Sequence, residues 1–190
     1  MKLLIFIRHF IEFFLFKIIL LILNLFSKSL SSKIIRNFLL FLGKFSKYHI
    51  IAKNNCKIVF PNLSDDAIIK IINNSWKNLG NNLFELTYLK KLINQKNLIE
   101  FEGLEVLEKI KKKAAPVIFF SIHASNWEIC VPILDQKGFN IGAIYRHINN
   151  KFFDKYIYKK RNEALNSKYS FYTPKGKISA KEILNGVNNN

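Results

Sequence analysis

The residues of this chain best suited to moving a proton are His123 and Glu128, in the run His123-Ala124-Ser125-Asn126-Trp127-Glu128. On one continuous helix, five residues rotate by about 500°, which leaves the two side chains about 140° apart. A strand end followed by a turn removes that obstacle. Glu128 then falls in the first turn of a helix, and its carboxylate can swing back to the imidazole. A carboxylate on one ring nitrogen fixes the tautomer and stabilises the cation, leaving the other nitrogen to take a proton. That is the base half of a catalytic triad without its own nucleophile, so the nucleophile would be a hydroxyl on the substrate. A plainer reading stands beside it. Ser125-x-x-Glu128 is also a capping box, in which Glu128 serves a helix N-terminus and His123 is a hydrogen-bonded residue at a strand end. A serine hydrolase fits poorly, because no G-x-S-x-G elbow accompanies Ser121. Metal binding fits worse, for want of converging ligands.

Positioning such a pair calls for strands and helices in alternation, and the second half of the chain has that rhythm. Val117–Ser121 is a short apolar run that reads as a buried strand. Asn126–Lys137 reads as a helix ended by Gly138, with Pro132 an awkward interior residue. Asn140–Tyr145 and Tyr169–Tyr172 read as further strands, with a helix over Lys151–Asn166 between them. Pro174-Lys175-Gly176 is a turn, and Lys177 opens another helix. The pattern predicts an open α/β sheet, whose ligands would sit beyond the carboxyl ends of the strands, at loops starting near Ile122 and Arg146.

The first half is different. Leu3–Phe26 is long enough for the roughly 20 apolar residues a bilayer crossing needs, although it carries Arg8, Glu12 and Lys17. Arg8 and Glu12 lie one helical turn apart and can pair. A spanning anchor is favoured over a helix lying in the interface, and a signal peptide is disfavoured because no A-x-A-like site follows. Lys28, Lys33 and Arg36 after the run favour a cytoplasmic body. Ile34–Tyr48 is a second amphipathic stretch. Ser64 reads as an N-cap with Asp65 and Asp66 in the first turn, where the helix dipole favours acids. Ile68, Ile69, Ile72, Trp76 and Leu79 then recur at helical spacing, and Gly80 marks a kink or an end. Another helical stretch follows from about Asn82 to Ile93, and a basic helix covers Leu104–Lys113. These readings divide the chain into a membrane anchor helix (1–30), a helical region (31–100) and a partial α/β domain (101–190).

Composition narrows the partners less sharply. The 190 residues carry a formal net charge of +17, with 49% hydrophobic and 23% charged residues. Those fractions belong to a folded chain rather than a disordered one. A charge this large attracts anions, whether an anionic membrane surface, an acidic protein or nucleic acid. Standard nucleic-acid recognition motifs are missing. A genome biased toward Lys, Asn, Ile and Phe codons, here with 18 Phe, would raise the charge without any partner. Cys56 and Cys130 form no C-x-x-C or Cys/His cluster and read as two reduced thiols.

Beyond the histidine–acid pair, the chain resembles the late acyltransferases of lipid A biosynthesis, which are relatives of the glycerophospholipid acyltransferases. The resemblance runs in order over residues 50–185. It includes Asn54, Ile58-Val59-Phe60-Pro61 and Ser64, then Asn78-Leu79-Gly80 with Glu85, then Phe101-Glu102-Gly103-Leu104-Glu105. It continues through the His123–Glu128 motif, Tyr145-Arg146, Asn149-Asn150, Asp154 and Arg161. His147 stands where the family has a proline after its Tyr-Arg pair, and a substrate-facing or surface role is favoured for it over a second base. Members of that family continue past the last residue here, so the resemblance implies an α/β domain truncated at its C-terminus. It also implies a reaction without a cofactor. A fatty acyl chain passes from acyl carrier protein to a hydroxyl of a Kdo-bearing lipid A precursor, at the cytoplasmic face of the bacterial inner membrane. His123 would be the general base and Glu128 its orienting acid. Arg146 would donate to the thioester oxyanion or hold a lipid phosphate. Asn126 would orient the loop or begin the helix. The alternatives are a lysophospholipid or glycolipid acceptor, or an inactive basic membrane-binding module.

Overall fold

The computed structural model describes residues 2–95, 98–113 and 115–188. Most of them are helical. They form two compact units, one of residues 15–85 and one of residues 1–14 with 86–190.

The first of these units is built from four helices: the second half of α1 (Lys2–Leu23), α2 (Lys28–Lys44), α3 (Lys47–Val59) and most of α4 (Asp65–Leu86). Ser27 caps α2, and the Ser64 hydroxyl accepts from the Ala67 amide to open α4. Asp65 in that first turn pairs with Lys53 at 3.2 Å and Lys57 at 2.9 Å, and its hydrogen bond to Lys57 holds its carboxyl below the usual range. Ile68 and Ile72 of α4 are almost wholly buried, whereas Ile69 is exposed. Gly80 neither kinks nor ends the helix, which runs on to Leu86. A Cβ there would stand 2.9 Å from the Ile35 carbonyl oxygen and 3.0 Å from Arg36 Cα. Glycine thus lets the α4 and α2 backbones touch. Gly43 instead makes room for the Trp76 ring, whose Nε1 donates to His49 Nδ1 at 3.2 Å.

The other unit holds α5 (Leu89–Ile93), α6 (Leu104–Lys112), α7 (Cys130–Gln136), β1 (Gly142–Tyr145), α8 (Lys151–Glu163), β2 (Phe171–Pro174) and α9 (Lys177–Asn188). Leu86, Leu89, Ile93, Ile133, Ile157 and Ala164 form its core. Among the described residues the sheet has two strands, β1 and β2, parallel and in register from Gly142 against Phe171 to Tyr145 against Pro174, with α8 as the crossover. Gly138 ends α7 in the left-handed conformation, φ 86°, where glycine carries no Cβ penalty. Pro132 is tolerated because it lies in the first turn of α7, where no intrahelical partner awaits its missing N–H. The start of α1 lies along α8. Phe152 packs its ring 5.4 Å from Phe6 and 5.7 Å from Phe10, and Phe13 meets Phe153 edge-on at 5.4 Å. Buried Asn150 caps α8 through Oδ1, while its Nδ2 donates to the His9 carbonyl and to Glu12.

Two expectations are corrected here. The open α/β sheet is not formed: the fold is mainly helical, and Val117–Ser121 takes no strand conformation. A strand exists through its ladder, and this run finds no neighbouring strand among the described residues. Phe120 is 92% exposed, where a strand buried on both faces would hide it. The predicted membrane anchor fails as well. No described helix is long and apolar enough to cross a membrane. In α1 the charges of Arg8, Glu12 and Lys17 break the apolar run, Arg8 and Glu12 forming the predicted ion pair at 3.4 Å. The inner-membrane placement that rested on this anchor is withdrawn with it.

Candidate active site

His123 lies on an irregular loop that leads into a single 3-10 turn, Trp127–Ile129, and then α7. The loop bends sharply at Ser125, whose φ of 48° is in the left-handed region. The Asn126 side chain closes the bend by accepting from the Glu128 amide at 3.1 Å. His123 is exposed, its ring centroid 5.2 Å from that of Trp127.

Glu128 turns the other way. Both of its oxygens accept from Arg161 of α8, at 2.7 Å each, in a bidentate pair. The pair is well shielded, with side chains 10% and 18% exposed. Burial, the largest single influence, would depress the guanidinium, but the hydrogen bond to Glu128, its charge and the two tyrosines beside it together outweigh burial and hold Arg161 above its ordinary value. Two aromatic rings complete the enclosure. Tyr145, last residue of β1, and Tyr172 of β2 have their centroids 5.7 Å and 5.8 Å from the guanidinium carbon. Burial, and then the Glu128 charge, push the Tyr172 hydroxyl well above the usual tyrosine range. Among the described residues no hydrogen bond or ion pair joins His123 to Glu128.

Arg146 follows β1 directly and is exposed, without an ion pair among the described residues. The structure does not bring it together with His123 through any bond. An imidazole–carboxylate contact of the expected kind occurs one residue further on. His147 Nδ1 lies 2.6 Å from Asp154 Oδ2, and the Ile148 amide donates to Asp154 Oδ1 at 2.8 Å. Asp154 is largely shielded while His147 is open to solvent. Sequence reasoning marked Arg161 only among the residues that carry the family resemblance and did not anticipate its pairing with Glu128. The signal was there: Ile157, Arg161 and Ala164 follow one another at spacings of four and three, and Ile157 and Ala164 are buried.

The chain belongs to the bacterial lipid A biosynthesis acyltransferase family, whose sequence profile matches residues 2–189. It is thus an acyltransferase of lipid A biosynthesis, with acceptors of lipid type. No curated protein and no solved structure gives a significant match.

Proposed function

We propose that this acyltransferase moves a fatty acyl group from acyl carrier protein to a hydroxyl of a Kdo-bearing lipid A precursor, with His123 as general base. The observation that carries the reading is the family match over residues 2–189, which encloses the His123–Glu128 motif. His123 takes the proton of the acceptor hydroxyl, and the oxygen attacks the thioester carbonyl. The C–O bond forms, the C–S bond breaks, and the carrier thiolate leaves with the proton from His123. Glu128 orients His123 when the acceptor enters, since catalytic hydrogen bonds are commonly loose without substrate and tighten around it. Arg161 holds that carboxylate in place through its two bonds. Arg146, exposed beyond β1, donates to the thioester oxygen as charge develops or holds a phosphate of the acceptor. Asn126 binds substrate indirectly, by holding the bend that presents His123.

A second reading assigns the base to His147, and the 2.6 Å contact with Asp154 favours it. The test is acyl transfer from radiolabelled acyl carrier protein to the Kdo-bearing precursor, with lysophospholipid and glycolipid acceptors alongside. His123→Ala should lower kcat by about 10²–10⁴-fold, the usual worth of a general base. His147→Ala should leave the rate within a few-fold. The reverse pattern assigns the base to His147. Transfer only to lysophospholipid keeps the chemistry and replaces the acceptor.

A further inference from the structure

We infer that the groove between the start of α1 and α8 binds a single alkyl chain ending in an anion. The groove has a volume of about 680 Å³, within the size range of small-molecule sites. Its floor is aromatic and aliphatic: Ile5, Phe6 and Phe13 from α1, with Phe152 and Tyr156 from α8. Phe6 and Phe13 hold Phe152 at 5.4 Å and 6.0 Å between ring centroids, so the floor is packed. Its apolar surface nevertheless stays open: Ile5 is 43% and Phe6 57% exposed. Covering such surface with an alkyl chain is favourable for each methylene removed from water.

The rim supplies the second half of the argument. Lys151, Lys155 and Lys159 stand four residues apart and form one stripe along α8, and Lys2 faces the groove from α1. Like charges at this spacing repel each other and weaken a helix. Among the described residues Lys159 alone of these four has an acidic partner, Glu163 at 3.8 Å. Lys2, Lys151 and Lys155 make no ion pair among the described residues, and no carboxylate lines the groove. An apolar trough edged by unneutralised ammonium groups is complementary to an amphiphile with one chain and one negative head. A neutral chain would leave the lysine repulsion in place, and a free anion would leave the floor wet. The assignment does not depend on the proposed reaction or on which histidine is the base.

The probe is dodecyl phosphate bearing a diazirine on its chain, applied to the full chain below its micellar concentration, irradiated, and mapped by peptide mass spectrometry. Label is expected on residues 2–13 and 151–159. Unlabelled dodecyl phosphate should compete, whereas dodecyl maltoside of the same chain length should compete several-fold less well. Ile5→Trp, which fills the groove while keeping its apolar character, should reduce labelling several-fold. A triple Lys151→Gln, Lys155→Gln, Lys159→Gln variant, which leaves the floor intact, should abolish the preference for phosphate over maltoside. Label spread over other exposed apolar faces such as Phe41 of α2 and Phe45 just after it, or equal competition by the two amphiphiles, overturns the assignment. So does labelling that Ile5→Trp leaves unchanged.

Discussion

Arg161 decides the electrostatics around Glu128. A carboxylate this shielded would be costly without its two bonds to the guanidinium, because desolvation penalises an isolated buried charge. Replacing Arg161 with Met should therefore lower stability by roughly 3–5 kcal/mol, the usual cost of stranding one member of a buried pair. Adding Glu128→Gln on that background should recover a large part of the loss, since the stranded charge is then gone. Urea unfolding of both variants measures this. An Arg161→Met protein as stable as the parent would mean that water reaches Glu128 freely. The sequence offers the candidate residues by type and spacing: a histidine, an acid five positions on and an arginine after a predicted strand. What could not be read was the direction of the Glu128 side chain. The spacing allows the carboxylate to face either His123 or α8, and the partner that claims it lies 33 residues away.

At the scale of elements, local signals served well where they rested on backbone chemistry. Ser64 with Asp65 and Asp66, Gly138 in its left-handed conformation and the Asn150 cap all end or open helices where the sequence places them. Gly80 shows the limit of such signals. As a helix interior glycine it reads as a kink or a stop, but its role is set by the neighbouring backbone of α2, only 2.9 Å from where a Cβ would stand. Gly80→Ala should gain up to about 1 kcal/mol of helix propensity yet lose about 1–3 kcal/mol to overpacking, a net destabilisation. Thermal unfolding gives the sign, and a raised Tm would show that the two helices separate at little cost. Val117–Ser121 is the converse case. Its apolar run has the composition of a strand, but a strand needs partners on the sheet and none is provided among the described residues.

For the molecule as a whole, the charge of +17 has a kinetic consequence. An acidic acyl donor protein is drawn to a basic surface, and the attraction fades as salt shortens the screening length. The proposed donor is such a protein. Its kcat/KM should fall by about tenfold between roughly 0.05 and 0.5 M salt, in the range of electrostatically steered encounters. A small uncharged thioester donor should show little change under the same conditions. Equal salt sensitivity for both donors would place the effect in the catalytic step or in the acceptor, and would remove steering from the account.

The sequence by itself determined the family and the order of motifs, because those reside in residue identity along the chain. It also determined the helices whose caps, acidic first turns and apolar spacing are local. Only the tertiary structure decided which polar groups meet. Glu128 goes to Arg161, and Asp154 goes to His147. It also decided that among the described residues a two-stranded sheet stands in place of an open one, and that α1 lays its first residues along α8. The physical reason is the same in each case. A helix cap is satisfied by atoms a few positions away, whereas a strand, a buried charge or an apolar groove is completed by partners far off in sequence, which the chain must fold to supply.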